Sequence, residues 1–88
     1  MTFLYKMFYV YILLSAKTGQ FYVGSTGNLL DRVERHNAGR SKATKFGCPW
    51  CLVMAEPYST RGDAMQREME IKGWKSHARI QALVSASR

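Results

Sequence analysis

Phe8-Tyr9-Val10-Tyr11-Ile12-Leu13-Leu14, then Ser15-Ala16-Lys17-Thr18-Gly19, then Gln20-Phe21-Tyr22-Val23-Gly24 is the stretch whose reading decides the fold. Aromatic and β-branched residues suit a pleated, half-buried surface. A short apolar run bounded by turn residues reads as a strand rather than a helix. Met7 to Leu14 is therefore the first strand, and Gln20 to Val23 is a shorter second one returning antiparallel past a turn at Thr18-Gly19. With Ser15 to Thr18 as the loop, Leu14 pairs with Gly19 and Tyr11 falls directly opposite Tyr22. Both phenol hydroxyls then share one sheet face, because side chains alternate along a strand.

Downstream, Gly24-Ser25-Thr26-Gly27-Asn28 supplies loop backbone and an N-cap for a helix from about Leu29 to Asn37, with Gly39 as its stop. Leu29, Leu30 and Val33 form its apolar stripe. Arg32 and His36, four apart, flank that stripe and border the sheet. Asp31 and Arg35 sit on another face, where an exposed ion pair accounts for them. A basic loop from Ala38 to Pro49 leads to a third strand over about Leu52 to Tyr58. Thr60, three residues before Asp63, caps a second helix that Gly73 ends. Ser76 caps a third helix over about His77 to Ser85, with Ile80, Leu83 and Val84 inward. In the second helix Ala64, Met65, Glu68 and Ile71 share a face, so Glu68 lies in an apolar stripe while Glu70 lies beside Gln66 and Arg67. Two readings of Glu68 stay open: a functional carboxylate near the core, or an edge ion pair with Lys72. Trp74 is read as core, Trp50 as core or as a base-stacking ring, and His77 as a surface residue.

The expected architecture is thus α/β of the α+β type, a three-stranded antiparallel sheet flanked by about three helices. At 88 residues it is one domain, 1–88, with its core over about 8–83. The 47% hydrophobic and 22% charged content exclude a disordered or fibrous chain. Phe8 to Leu14 is far shorter than the ~20 residues of a membrane-spanning helix. The basic Lys6 lies inside the apolar N-terminal stretch rather than ahead of it, so a buried strand of a cytoplasmic protein is preferred to a signal peptide. Thirteen Lys and Arg against six Asp and Glu give +7, which points to nucleic acid as the partner. Arg35, Arg40, Lys42 and Lys45 make one basic surface, and Lys72 and Lys75 belong to a second. Cys48-Pro49-Trp50-Cys51 has redox spacing, but a strand follows instead of a helix, and His36 and His77 lack zinc-finger spacing; a reduced pair is the preferred reading.

Taken together, Tyr9-Val10-Tyr11, Tyr22-Val23-Gly24, Asn28-Leu29-Leu30-Asp31-Arg32 with His36, Pro49-Trp50, and Ala64 to Glu68 resemble, in order and spacing, the GIY-YIG nuclease domain, in particular its small standalone bacterial members. The resemblance covers about Phe8 to Leu83. It departs in Tyr9 for the first motif's glycine, in two valines for isoleucines, and in Ser25 where a repair-nuclease relative has lysine. The resemblance implies a metal-dependent endonuclease acting on DNA, branched or single-stranded, with little sequence specificity. It implies Tyr22 as general base, Tyr11 as positioning group, Arg32 on the phosphate, His36 in proton transfer or phosphate contact, and Glu68 holding one Mg2+ or Mn2+. A phenol is a weak base near neutral pH unless cations stand beside it, a role open to Arg32 and the metal. The competing function is a catalytically silent nucleic-acid-binding module on the same fold.

Overall fold

The computed structural model describes residues 6–87, in the order β1 (Phe8–Ser15), β2 (Phe21–Thr26), α1 (Leu29–Asn37), a 3-10 turn (Lys45–Gly47), β3 (Trp50–Tyr58), α2 (Arg61–Trp74) and α3 (His77–Ala86). The three strands form one antiparallel sheet ordered β2-β1-β3. No helix among the described residues is long and apolar enough to cross a membrane.

Because β1 is the central strand and both faces are covered, its residues lose the polar-apolar alternation of a half-exposed strand. Val10, Tyr11, Ile12 and Leu13 are all fully buried. Val10 and Ile12 face α2 and α3, in a core with Val23, Met54, Ala64, Ile71 and Val84. Tyr11 and Leu13 face α1, with Trp50, Tyr22, Leu29 and Val33. The sheet thereby has one side whose buried centre is aliphatic, with Phe8, Phe21, Tyr58 and Trp74 around its margin, and another whose buried centre is rich in aromatic rings.

The hairpin register differs from the sequence-based expectation. Leu14 pairs with Phe21, so Tyr11 stands opposite Gly24 and Leu13 opposite Tyr22. The turn lies one residue further along than expected, because Ser15 still belongs to β1 and bonds across the hairpin, its N–H donating to Gln20 O at 2.9 Å. The displacement is by two residues, which preserves faces. Tyr11 and Tyr22 therefore remain neighbours on one side, diagonal rather than opposed, with ring centroids 6.3 Å apart.

On the other edge, the β1–β3 register shifts between Ile12 and Leu13: Ile12 pairs with Met54 but Leu13 with Leu52, leaving Val53 as an extra residue. Beyond this bulge Ser15 faces Trp50, not Cys51 as an unbroken register would place it. The bulge turns the indole toward the α1 side. Asn37, at the end of α1, then clamps the start of β3: its Oδ1 accepts from Trp50 N at 2.6 Å and its Nδ2 donates to Trp50 O at 3.0 Å.

All three helices are capped by side chains: Thr60 and Ser76 as expected, and Asn28 from among the residues 24–28 that offered caps for α1, accept from the N–H groups of Asp63, Arg79 and Asp31. Gly73 does not end α2. An interior glycine costs a helix only about 1 kcal/mol, and the chain continues to Trp74, whose ring is met by the guanidiniums of Arg67 and Arg79 at 5.6 and 4.3 Å. The stop is Lys75, in the left-handed region at φ 49°. The Asp31–Arg35 pair is not among the ion pairs of the described residues.

Ile71 is fully buried at the centre of the aliphatic side. Ile71→Ala is expected to lower the unfolding free energy by about 2–5 kcal/mol, read as a reduced urea midpoint at unchanged m-value.

Candidate active site

Tyr11 is held by a contact that explains why a glycine follows Tyr22-Val23. A Cβ on Gly24 would sit 2.5 Å from the Tyr11 hydroxyl, so the phenol lies across bare backbone of β2. That hydroxyl shares a hydrogen bond of 2.9 Å with His36 Nε2, and His36 Nδ1 shares one of 2.6 Å with Thr44 Oγ1. Tyr11, His36 and Thr44 are all buried. In a neutral imidazole one nitrogen donates and the other accepts, so this chain occupies both ring positions of His36. Tyr22 completes the cluster, its ring centroid 4.9 Å from His36 and 6.3 Å from Trp50.

Burial, reinforced by Tyr22 and Glu68 and partly offset by Arg32, pushes the Tyr11 hydroxyl up to about 12. It stays protonated through the physiological range. His36 is held below its ordinary 6.5, first by burial and then by the nearby charges of Arg32 and Arg35. The imidazole is correspondingly neutral near pH 7.

Tyr22, Arg32, Arg35, His36, Arg40 and Ser41 line one cleft of about 320 Å³. Three guanidiniums there meet no lining carboxylate. Arg32 Nε is buried and is the one buried side-chain nitrogen or oxygen with no hydrogen-bond partner among the described residues. An unpartnered buried donor is costly, and a phosphate oxygen is the acceptor a guanidinium matches best.

Glu68 lies beside this group. Ser25 Oγ donates to its Oε1 at 2.5 Å, and Lys72 Nζ to its Oε2 at 2.6 Å. Both sequence readings of Glu68 therefore meet in one place: the Lys72 ion pair exists, and the carboxylate, with 19% of its side chain exposed, stands next to the tyrosine cluster. Lys72 Nζ also lies 5.9 Å from the Tyr22 ring centroid. An ammonium thus stands beside Tyr22 although Ser25 replaces the lysine of the repair-nuclease relative.

Of the other expected residues, Lys42 and Lys45 are exposed on the loop after α1. Lys75 is not brought to the cleft; it lines a separate hollow with Gln20, Phe21, Ser76, His77 and Ile80. A larger hollow of about 510 Å³ beside Tyr58 and Asp63 is governed by Arg67, which is already paired with Glu56 and Glu70. Cys48 and Cys51 are both free thiols. Sequence reasoning missed Thr44, Ser41 and Ser25; short hydroxyl side chains in loops and strands carry no periodic signal, and only the motif position of Ser25 drew notice.

This fold and site define a small α+β domain with a tyrosine-histidine-arginine cluster on one sheet face. Residues 7–81 match the model of the GIY-YIG catalytic domain, and the chain belongs to that family. A UPF0213 protein of Staphylococcus haemolyticus is 38% identical over 76 residues, 85% of this chain and 92% of that one. One from Staphylococcus aureus is 36% identical over the same shares. The solution NMR structure of a UPF0213 protein from Bacillus halodurans superposes with a TM-score of 0.58 at 33% identity, covering 91% of this chain and 84% of that one.

The depressed His36 titration sets a pH dependence. The unfolded chain takes up a proton as pH falls through 6.5 while the folded chain resists it, so stability is full above 6.5 and declines below. The stability gap between wild type and His36→Gln should therefore narrow from neutral pH to about pH 5, measured by urea unfolding.

Proposed function

We propose that this chain is a metal-dependent endonuclease that hydrolyses DNA phosphodiester bonds, recognising backbone and shape with little sequence preference, in DNA repair or processing. The observation that carries this reading is the cleft in which Tyr22 and Arg32, with its unpartnered Nε, converge among three guanidiniums.

The residues divide the work by environment. The scissile phosphate docks on Arg32, with Arg35 and Arg40 drawing the flanking backbone by charge. Tyr22, half-buried on the cleft wall, faces the attacking water as general base. Tyr11, buried and held protonated, acts by position: it fixes His36, which in turn flanks the Tyr22 ring. The Lys72 ammonium, 5.9 Å from the Tyr22 ring centroid, places a further positive charge beside the base.

Glu68 is the residue that would hold the divalent ion. Among the described residues no three His, Cys, Asp or Glu side chains cluster. A single carboxylate completed by water and phosphate oxygens nevertheless fits Mg2+ or Mn2+, which keep several waters and use few protein ligands. Bound there, the ion would supply Lewis-acid stabilisation of charge on the phosphate and leaving oxygen.

One observation favours the second reading, a silent DNA-binding module: both carboxylate oxygens of Glu68 already accept, from Ser25 and Lys72.

Labelled branched and single-stranded DNA, incubated with and without Mg2+ or Mn2+, separates the two. Metal-dependent cutting is expected, falling by about 100-fold or more in Tyr22→Phe, the scale of a lost general base, and comparably in Glu68→Gln. DNA affinity should be retained in Tyr22→Phe. Binding without cutting under every condition would establish the silent module instead.

A further inference from the structure

Phe46 is a large aromatic side chain left in solvent on the loop that follows α1, of which Arg40 and Ser41 line the cleft. It is 53% exposed at the middle of the 3-10 turn, and the other large exposed apolar residues, Leu30, Leu52, Met65 and Met69, have no aromatic face to offer. Its support is rigid. Thr44, before the turn, is fully buried; its carbonyl accepts from Trp50 Nε1 at 2.8 Å and its hydroxyl bonds His36. Gly47, the last residue of the turn, accepts at its carbonyl from Ser15 Oγ at 2.6 Å, and its Cα packs so closely under the Trp50 indole that no Cβ fits.

The ring is also linked to the cleft wall through Trp50. Phe46 meets Trp50 edge-on at 6.4 Å and 85°, and Trp50 meets Tyr22 at 6.3 Å and 64°. The three rings run from the cleft wall through the buried indole to the exposed phenyl. Along the chain, residues 35 to 55 contain Arg35, Arg40, Lys42 and Lys45 and no Asp or Glu. An exposed aromatic face set among exposed cations, on a loop that cannot fold it away, is the composition of a stacking platform for a nucleic acid strand.

We propose that Phe46 stacks on an unpaired nucleobase of the DNA strand whose phosphate lies in the cleft, with Lys42 and Lys45 on the adjoining phosphates. This deepens the nuclease reading and rests on it for the identity of the strand. Stacking requires a free base face, so the platform selects single-stranded or splayed DNA over an intact duplex, and it does so without reading sequence, since every base has a π-face.

The test uses short single-stranded DNA carrying 2-aminopurine at each position in turn, bound to wild type, Phe46→Ala, Phe46→Leu and Phe46→Tyr. Wild type and Phe46→Tyr should quench the fluorophore at one or two positions. Phe46→Ala and Phe46→Leu should lose that quenching and bind about tenfold more weakly, with the dependence of affinity on salt unchanged. Lys42→Ala and Lys45→Ala should instead each lower the salt slope by about one. Phe46→Leu keeps an apolar contact with Trp50, so wild-type binding and quenching by Phe46→Leu would assign Phe46 to loop support and overturn the platform. Equal quenching in wild type and Phe46→Ala would overturn it as well. A wild type that binds and quenches but never cuts leaves the platform standing and defeats the nuclease reading; one that binds no DNA defeats both.

Discussion

The hydrogen bond between Tyr11 and His36 is the tie on which the functional half of the molecule depends. It joins the central strand to α1 between two buried side chains, and a buried polar group left without its partner costs about 1–3 kcal/mol. Its far end continues through Thr44 into the loop before β3. Sheet, helix and loop are thereby positioned by one chain of three side chains. Arg32, one helical turn before His36, inherits its place from that tie.

Much of this architecture was legible in the sequence because it follows from periodicity and caps. The unbroken apolar run of β1 has the signature of a strand covered on both faces, and Thr60 and Ser76 mark helix starts that their side chains do form, while the first cap was legible only as one of residues 24–28 and proves to be Asn28. What was not legible depends on geometry between segments. The hairpin register turned on whether Ser15 ends the strand or opens the loop, and Ser15 is engaged both within the hairpin and with Gly47, more than thirty positions away in the chain. The bulge at Val53 leaves no compositional mark either, yet it decides that Trp50 rather than Cys51 reaches the aromatic side. Gly73 misled because glycine is a weak helix breaker when a tryptophan beyond it has a place to pack.

The site divides along the same line. Helical spacing sufficed to set Arg32 and His36 on one flank and to separate Glu68, beside Lys72, from Glu70, beside Arg67, although of the expected apolar stripe Met65 is exposed and only Ala64 and Ile71 are buried. It could not find Thr44, or foresee that Lys72, from a helix on the other side of the sheet, reaches round to Tyr22. Placing the ammonium on α2 ties it to the carboxylate four residues earlier, so charge near Tyr22 and the state of Glu68 are coupled through one salt bridge.

Ser15 carries a consequence of a different kind. Its single oxygen accepts from the N–H groups of Lys17 and Thr18 in the hairpin turn while its proton goes to Gly47 on the opposite loop. Two surface loops distant in sequence are thus fastened at one atom. Opening either releases the other's anchor, so the pair constitutes one cooperative unit of local unfolding. Solvent exchange at the Lys17 and Thr18 amides is consequently a remote gauge of how firmly the loop beside the cleft is closed.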